Sequence, residues 1–158
     1  GWDGKIIDIG CNSGFLLRHL GAIREDEYVG IDSSQNLITN AQMMFTHNKF
    51  EVLSVLDIPY PEKYFQCFFM GELLEHLDSG EQELAIMEAA RVLKPGGFGI
   101  ITTPSKLKGY NPEHKHELTL NEFKDLLKRY FTIEGLSLVS QNPKKWFRMI
   151  MVAEVRKP

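Results

Sequence analysis

Two hydrophobic periods take turns along the chain. Apolar runs near 5–9, 27–31, 50–54, 64–70, 97–103, 131–139 and 146–155 carry the Ile, Val and Phe content of buried strands. Segments near 14–21, 34–46, 80–93 and 119–130 instead space their apolar residues three and four apart, the period of a helix with one buried face. Strands that alternate with helices predict an α/β domain on a parallel, doubly wound sheet. Ser33 and Ser34 stand where a cap for the second helix is needed, and Thr119 with Glu122 forms a capping box ahead of Phe123, Leu126 and Leu127. The last two apolar runs are joined through Ser140, Gln141, Asn142 and Pro143 with no helix between them. They predict an antiparallel C-terminal hairpin, for seven strands in all.

The first strand leads into Gly10-Cys11-Asn12-Ser13-Gly14 and then Phe15-Leu16-Leu17. Glycines let the backbone turn sharply and approach a ligand, and the amides at the start of the next helix face it. The second strand ends in Asp32, where a carboxylate meets a ribose hydroxyl pair in nucleotide-binding α/β folds. The dinucleotide fingerprint asks for glycine at the first, third and sixth positions, but the chain has Gly10, Asn12 and Phe15 there. A Gly-x-Gly-x-Gly turn fits better, with Asn12 as the residue that best tolerates positive φ in place of glycine.

These residues resemble motif I of the class I S-adenosylmethionine-dependent methyltransferases, Asp8-x-Gly10-Cys11-x-x-Gly14. Three later segments extend the likeness: Leu56 to Tyr60; Phe65 to Leu77, with Gln66 where the family has Asp; and Arg91-Val92-Leu93-Lys94-Pro95-Gly96-Gly97-Phe98. The resemblance implies a Rossmann-like sheet that binds S-adenosylmethionine. Its site residues would be Asp8, Gly10, Cys11, Asn12, Gly14, Asp32, Ser33, Asp57, Ile58, Gly71 and Glu72, with Asp57 on the adenine amino group. It also implies that an N-terminal cap found in many relatives is absent or trimmed, so that residues 1–158 form a single catalytic domain.

Glu72, Glu75 and His76 follow the fourth strand. If that segment is helical, they share one face and could hold a divalent cation, Mg or Mn from the oxygen donors, with Zn, Fe or Co left open by the imidazole. His114 or His116 could add a fourth ligand from a later loop. The Glu-x-x-Glu-His pattern with His114 is similar to the metal-dependent methyltransferases that modify the 2′-hydroxyl at the 3′ end of small RNAs, although their aromatic and Arg flanks are missing around Glu117 and Thr119. Likeness to the ubiquinone-biosynthesis O-methyltransferases is equally good. Glu75 and His76 simply capping a helix is an alternative, as is His76 or His114 acting as a general base without metal. The expected catalytic residues are His76, His114 and Glu72.

Composition narrows the field further. With 43% hydrophobic residues the chain can build a full core, and a net charge of −3 gives no general pull toward nucleic acid or membrane. No apolar run is long enough to span a bilayer. Two cysteines, Cys11 and Cys67, read as thiols of a reducing, cytoplasmic setting. The leading expectation is O-methylation of a small-molecule acceptor. Its rivals are RNA ribose methylation, an inactive cofactor-binding module of a larger protein, and a nicotinamide oxidoreductase, the last disfavoured by Phe15 and the terminal hairpin. Trp2 is a candidate to pack over the cofactor, and Lys106, Lys108, Lys115, Lys144, Lys145 and Arg148 are candidates for a basic rim.

Overall fold

The computed structural model describes residues 4–20, 27–106, 112–140 and 149–158. Trp2, Lys108, Lys144, Lys145, Arg148 and the expected link through Gln141, Asn142 and Pro143 lie outside them. Strand β1 (Ile6–Ile9) is followed by α1 (Phe15–Leu20), β2 (Tyr28–Asp32), α2 (Gln35–Met44) and β3 (Lys49–Val52). Then come β4 (Phe65–Gly71), a single 3-10 turn (Leu74–His76), α3 (Ser79–Val92), β5 (Leu93–Pro104), α4 (Leu120–Lys128), β6 (Thr132–Ser140) and β7 (Met149–Arg156).

The seven strands form one sheet in the order β3-β2-β1-β4-β5-β7-β6. The first five pair in parallel, and β7 runs antiparallel to both β5 and β6. This is the doubly wound sheet with a terminal hairpin that the apolar pattern predicts. β1 is buried along its whole length because helices cover both of its faces. Ile6 packs with Leu17, Ile38 and Phe50 beneath α1 and α2, while Ile7 and Ile9 pack with Ile86, Ala89 and Phe123 from α3 and α4. Among the described residues, no helix is long and apolar enough to cross a membrane.

Three local details differ from the expectation. Ser34 alone caps α2, through its hydroxyl and the Leu37 amide; the neighbouring Ser33 is left to face the cavity described below. β5 begins at Leu93, so Lys94 to Gly97 form an irregular jog inside a strand rather than a separate turn; the register passes from Phe65↔Leu93 to Cys67↔Phe98. α3 starts at a capping box made by Asp78 and Glu81. The chain order reverses between β1 and β4, each of which begins a different half of the sheet. A crevice opens at the carboxyl ends of the strands at such a switch point, and that is where the candidate site lies.

Candidate active site

The turn after β1 places three positive φ angles within five residues: Gly10 at 75°, Asn12 at 52° and Gly14 at 80°. Main-chain bonds hold it. The amides of Gly10 and Cys11 both donate to the Ile31 carbonyl at 2.9 Å, tying the turn to β2. Asn12 offers a further anchor, since its Oδ1 accepts from the Ser13 amide at 2.7 Å. Gly14 cannot carry a side chain, because a Cβ there would sit 2.5 Å from the Phe45 ring. Asp32 accepts from the Asn12 amide at 3.0 Å and from the Ser34 amide at 2.9 Å. It therefore fastens the turn to the start of α2 while its carboxylate still borders the crevice.

A cavity of about 330 Å³ lies beside this turn. Of the residues expected to bind cofactor, Gly10, Asp32 and Ser33 line it. Asn12 and Gly14 shape the turn rather than the wall. Cys11 is buried under Gly30 and Phe50, and burial pushes its thiol pKa upward. Cys67 is likewise buried in its strand, its pKa pushed up to about 12. Asp8 lies below the turn, almost wholly buried, and accepts from the Tyr28 hydroxyl at 2.6 Å. Burial drives its pKa up to about 7, although the Tyr28 bond pulls the other way.

Asp57 and Ile58 fall outside the wall. The side chain of Ile58 points into the core, its amide donates to Glu88 Oε2 at 2.8 Å, and its carbonyl accepts from Arg91 at 2.7 Å. Those bonds to α3 turn the segment away from the crevice, and Asp57 is left exposed. The wall after β3 is formed earlier, by Leu53, Ser54, Val55 and Leu56. Ser54 accepts from the Leu56 amide at 3.1 Å, which bends the chain across the cavity. Sequence spacing shows an acid near the end of β3 but not which residue of the bend faces inward.

The segment after β4 is not the helix that would put Glu72, Glu75 and His76 on one face. Glu72 has φ 50°, a conformation costly for a residue with a Cβ, and the chain turns there before the 3-10 turn begins. The pull comes from β5. Thr102 donates to Glu72 at 2.9 Å and Thr103 donates to Glu75 at 3.0 Å. Neighbouring residues of a strand face opposite sides of the sheet, so the two carboxylates are drawn apart. Glu75 is 2% exposed, and burial raises its pKa. Burial raises that of Glu72 as well, against its bond from Thr102 and the two nearby histidines. Gly71 ends β4 and, like Glu72, lies outside the cavity wall, where Leu73 and His76 stand instead.

The loop before α4 folds back onto this turn. The amides of Lys115 and His116 donate to the Glu75 carbonyl at 2.8 and 3.3 Å. His76 Nδ1 lies 3.1 Å from the Glu113 carbonyl, and His114 Nδ1 lies 2.6 Å from Glu117 Oε1. The Glu113 carbonyl and the Glu117 carboxylate are both acceptors, so each bond suits an imidazole that carries a proton on Nδ1. The rings meet edge to face at 5.4 Å. Ligand atoms of Glu75, His76 and His114 all lie within 4.8 Å of one another. Glu72 is not in that group, and His116 instead faces Gln82 at 3.2 Å. A wider depression of about 570 Å³ along α4 and β6 shares no residue with this site and has no converging acids or imidazoles.

A doubly wound sheet with a terminal hairpin, a three-bend turn after β1 and an acid closing β2 define a class I S-adenosylmethionine-dependent methyltransferase fold. The chain belongs to the methyltransferase domain family, whose pattern it matches over residues 7–101. It is 30% identical over 105 residues to the chloroplastic tocopherol O-methyltransferase of Arabidopsis thaliana, covering 63% of this chain and 30% of that protein. It is 26% identical over 119 residues to the mitochondrial ubiquinone biosynthesis O-methyltransferase of Dictyostelium discoideum, covering 65% of this chain and 36% of that one. The chain spans about half or less of the length of the curated relatives it matches. Among solved structures, a SAM-dependent methyltransferase from Methanosarcina mazei superposes with a TM-score of 0.81 at 21% identity, covering 98% of this chain and 92% of that one.

Proposed function

We propose that the domain binds S-adenosylmethionine at the carboxyl ends of β1, β2 and β3 and transfers its methyl group to an oxygen of a small-molecule acceptor. The observation that carries this reading is the cavity wall itself. One cavity runs from Gly10 and Asp32, at the nucleoside end, to Leu73 and His76, beside the imidazole pair. In this reading Gly10 lets the backbone approach the nucleoside, Asp32 accepts from the ribose hydroxyls, and Leu53, Val55 and Leu56 cover the base.

The chemistry is an in-line displacement at a sulfonium. The acceptor oxygen forms the new C–O bond as the C–S bond breaks, the electron pair leaves on sulfur, and the hydroxyl proton must go to a base. The cofactor carries the electrophile, so the protein aligns the nucleophile, excludes water and takes the proton. His76 is suited to receive that proton. Its Nδ1–H is committed to the Glu113 carbonyl, so Nε2 is the basic nitrogen, and Glu75 Oε1 stands 4.0 Å from it.

Two imidazoles and one carboxylate are also a donor set that suits a divalent cation, Mn rather than Mg given two nitrogens. Glu75, His76 and His114 would hold it, and it would lower the pKa of the acceptor hydroxyl. The two buried, reduced cysteines fit a reducing, cytoplasmic setting.

Calorimetry with S-adenosylhomocysteine tests the cofactor half, and methyl transfer from labelled cofactor to a panel of phenols, quinols, sugars and RNA tests the acceptor half. Heat with labelled small-molecule product is the expected result. Labelled RNA alone would move the acceptor class, and heat without turnover would mark a binding module. Activity that survives a chelator assigns the proton to an imidazole without metal.

A further inference from the structure

Gln82 lies near the start of α3 and is 2% exposed. A buried amide is costly when its polar atoms lack partners. Its partners here lie in two other segments. Nε2 donates to the Leu74 carbonyl at 2.8 Å and to the His116 carbonyl at 2.9 Å, while Oε1 faces His116 Nδ1 at 3.2 Å. Two carbonyls can only accept, so the NH2 group must face them and the amide oxygen must face the imidazole. One side chain thereby joins the turn that carries Glu75 and His76 to the loop that carries His114. At the rim, Lys115 pairs with Glu81 at 3.1 Å, but with the lysine more than half exposed that pair adds little.

We propose that Gln82 is a positioning residue whose amide holds the His114 loop against the Glu75–His76 turn and so sets the separation of the two imidazoles. Gln82 touches neither cavity nor reacting atoms; it acts through Leu74 and His116. The inference rests on the reading of His76 and His114 as the acceptor side of the site. A displacement of about 1 Å there is enough for a rate loss of about a hundredfold.

The test uses the full chain labelled with 15N. Long-range imidazole spectra of the wild type should show His76, His114 and His116 as Nδ1–H tautomers, with a through-space contact between the His76 and His114 rings. Gln82→Met keeps length and apolar volume and removes all three bonds. It should weaken the ring contact by more than about half, mix the His116 tautomers, and speed amide exchange at Lys115 and His116 by about tenfold or more. With an acceptor in hand, kcat should fall about a hundredfold while KM for the cofactor stays within about threefold. Gln82→Asn keeps the amide but withdraws it by one methylene, and should show the same loosening. If Gln82→Met does not fold, Gln82→Asn decides the matter. A wild-type ring contact and exchange pattern in the folded variant overturns the proposal. Absence of heat with S-adenosylhomocysteine would end the methyltransferase reading, and the ring contact would still be scored on its own.

Discussion

The two ends of the cavity are built from different materials. At the end proposed for the nucleoside, five consecutive residues from Gly10 to Gly14 form the turn, and their amides tie it to the Ile31 carbonyl and the Asp32 carboxylate. At the end proposed for the acceptor, Glu75 and His76 meet His114 from a loop 38 residues further along, and side chains as well as amides hold them: Thr103, Gln82 and Glu117. A site held largely by the main chain tolerates most side-chain changes and fails chiefly where a Cβ cannot fit or where its one carboxylate anchor, Asp32, is lost. A side-chain site can be rebuilt residue by residue without touching the sheet. The contrast teaches why one fold can keep its cofactor while acceptors vary.

The largest effect should come from Gly14→Val. A branched side chain would meet the Phe45 ring and force φ 80° on a residue that resists it. A loss of about 2–4 kcal/mol in urea unfolding is expected, together with loss of calorimetric heat for S-adenosylhomocysteine. Asp32→Ala removes the acceptor of two amides and, in the proposed reading, of the ribose. Cofactor affinity should fall about a hundredfold, some 2–3 kcal/mol, with the fold intact by circular dichroism.

His114→Ala sharpens the comparison from the other side. Turnover should fall about a hundredfold, with S-adenosylhomocysteine affinity within about twofold. An equal loss of both would show that the two ends are not separable.

Asp8 adds a pH dependence to the cofactor end. Its folded-state pKa, about 7, stands above the ordinary 3.8. The native state therefore binds the proton more tightly than the unfolded chain. The stability this group contributes is complete below about pH 4 and is lost as pH rises through about 7. Denaturation series should show a fall on the order of 2 kcal/mol between about pH 5 and pH 7 from this group. Asp8→Asn, which still accepts from Tyr28, should flatten it. The smallest effect belongs to Asn12→Gly. Relief of the positive φ and loss of the Ser13 amide bond oppose each other, so unfolding should shift by less than about 1 kcal/mol.

Much of this architecture was legible before any coordinates. Apolar runs mark the strands, Thr119 with Glu122 marks the start of α4, and two apolar runs with no helical period between them mark the antiparallel pair. Gly10, Asn12 and Gly14 are legible because each answers a local backbone demand, and Asp32 because it closes an apolar run. By itself, then, the sequence determined the doubly wound sheet and the turn after β1, since period, glycine and cap act over short distances. Long-range packing settles the rest: Ser54 rather than Asp57 faces the cavity, Thr102 and Thr103 part Glu72 from Glu75, and Gln82 engages His116 while His114 joins His76. Those outcomes depend on which strand or helix lies alongside, and a contact between residues far apart in the chain leaves no periodic trace in it.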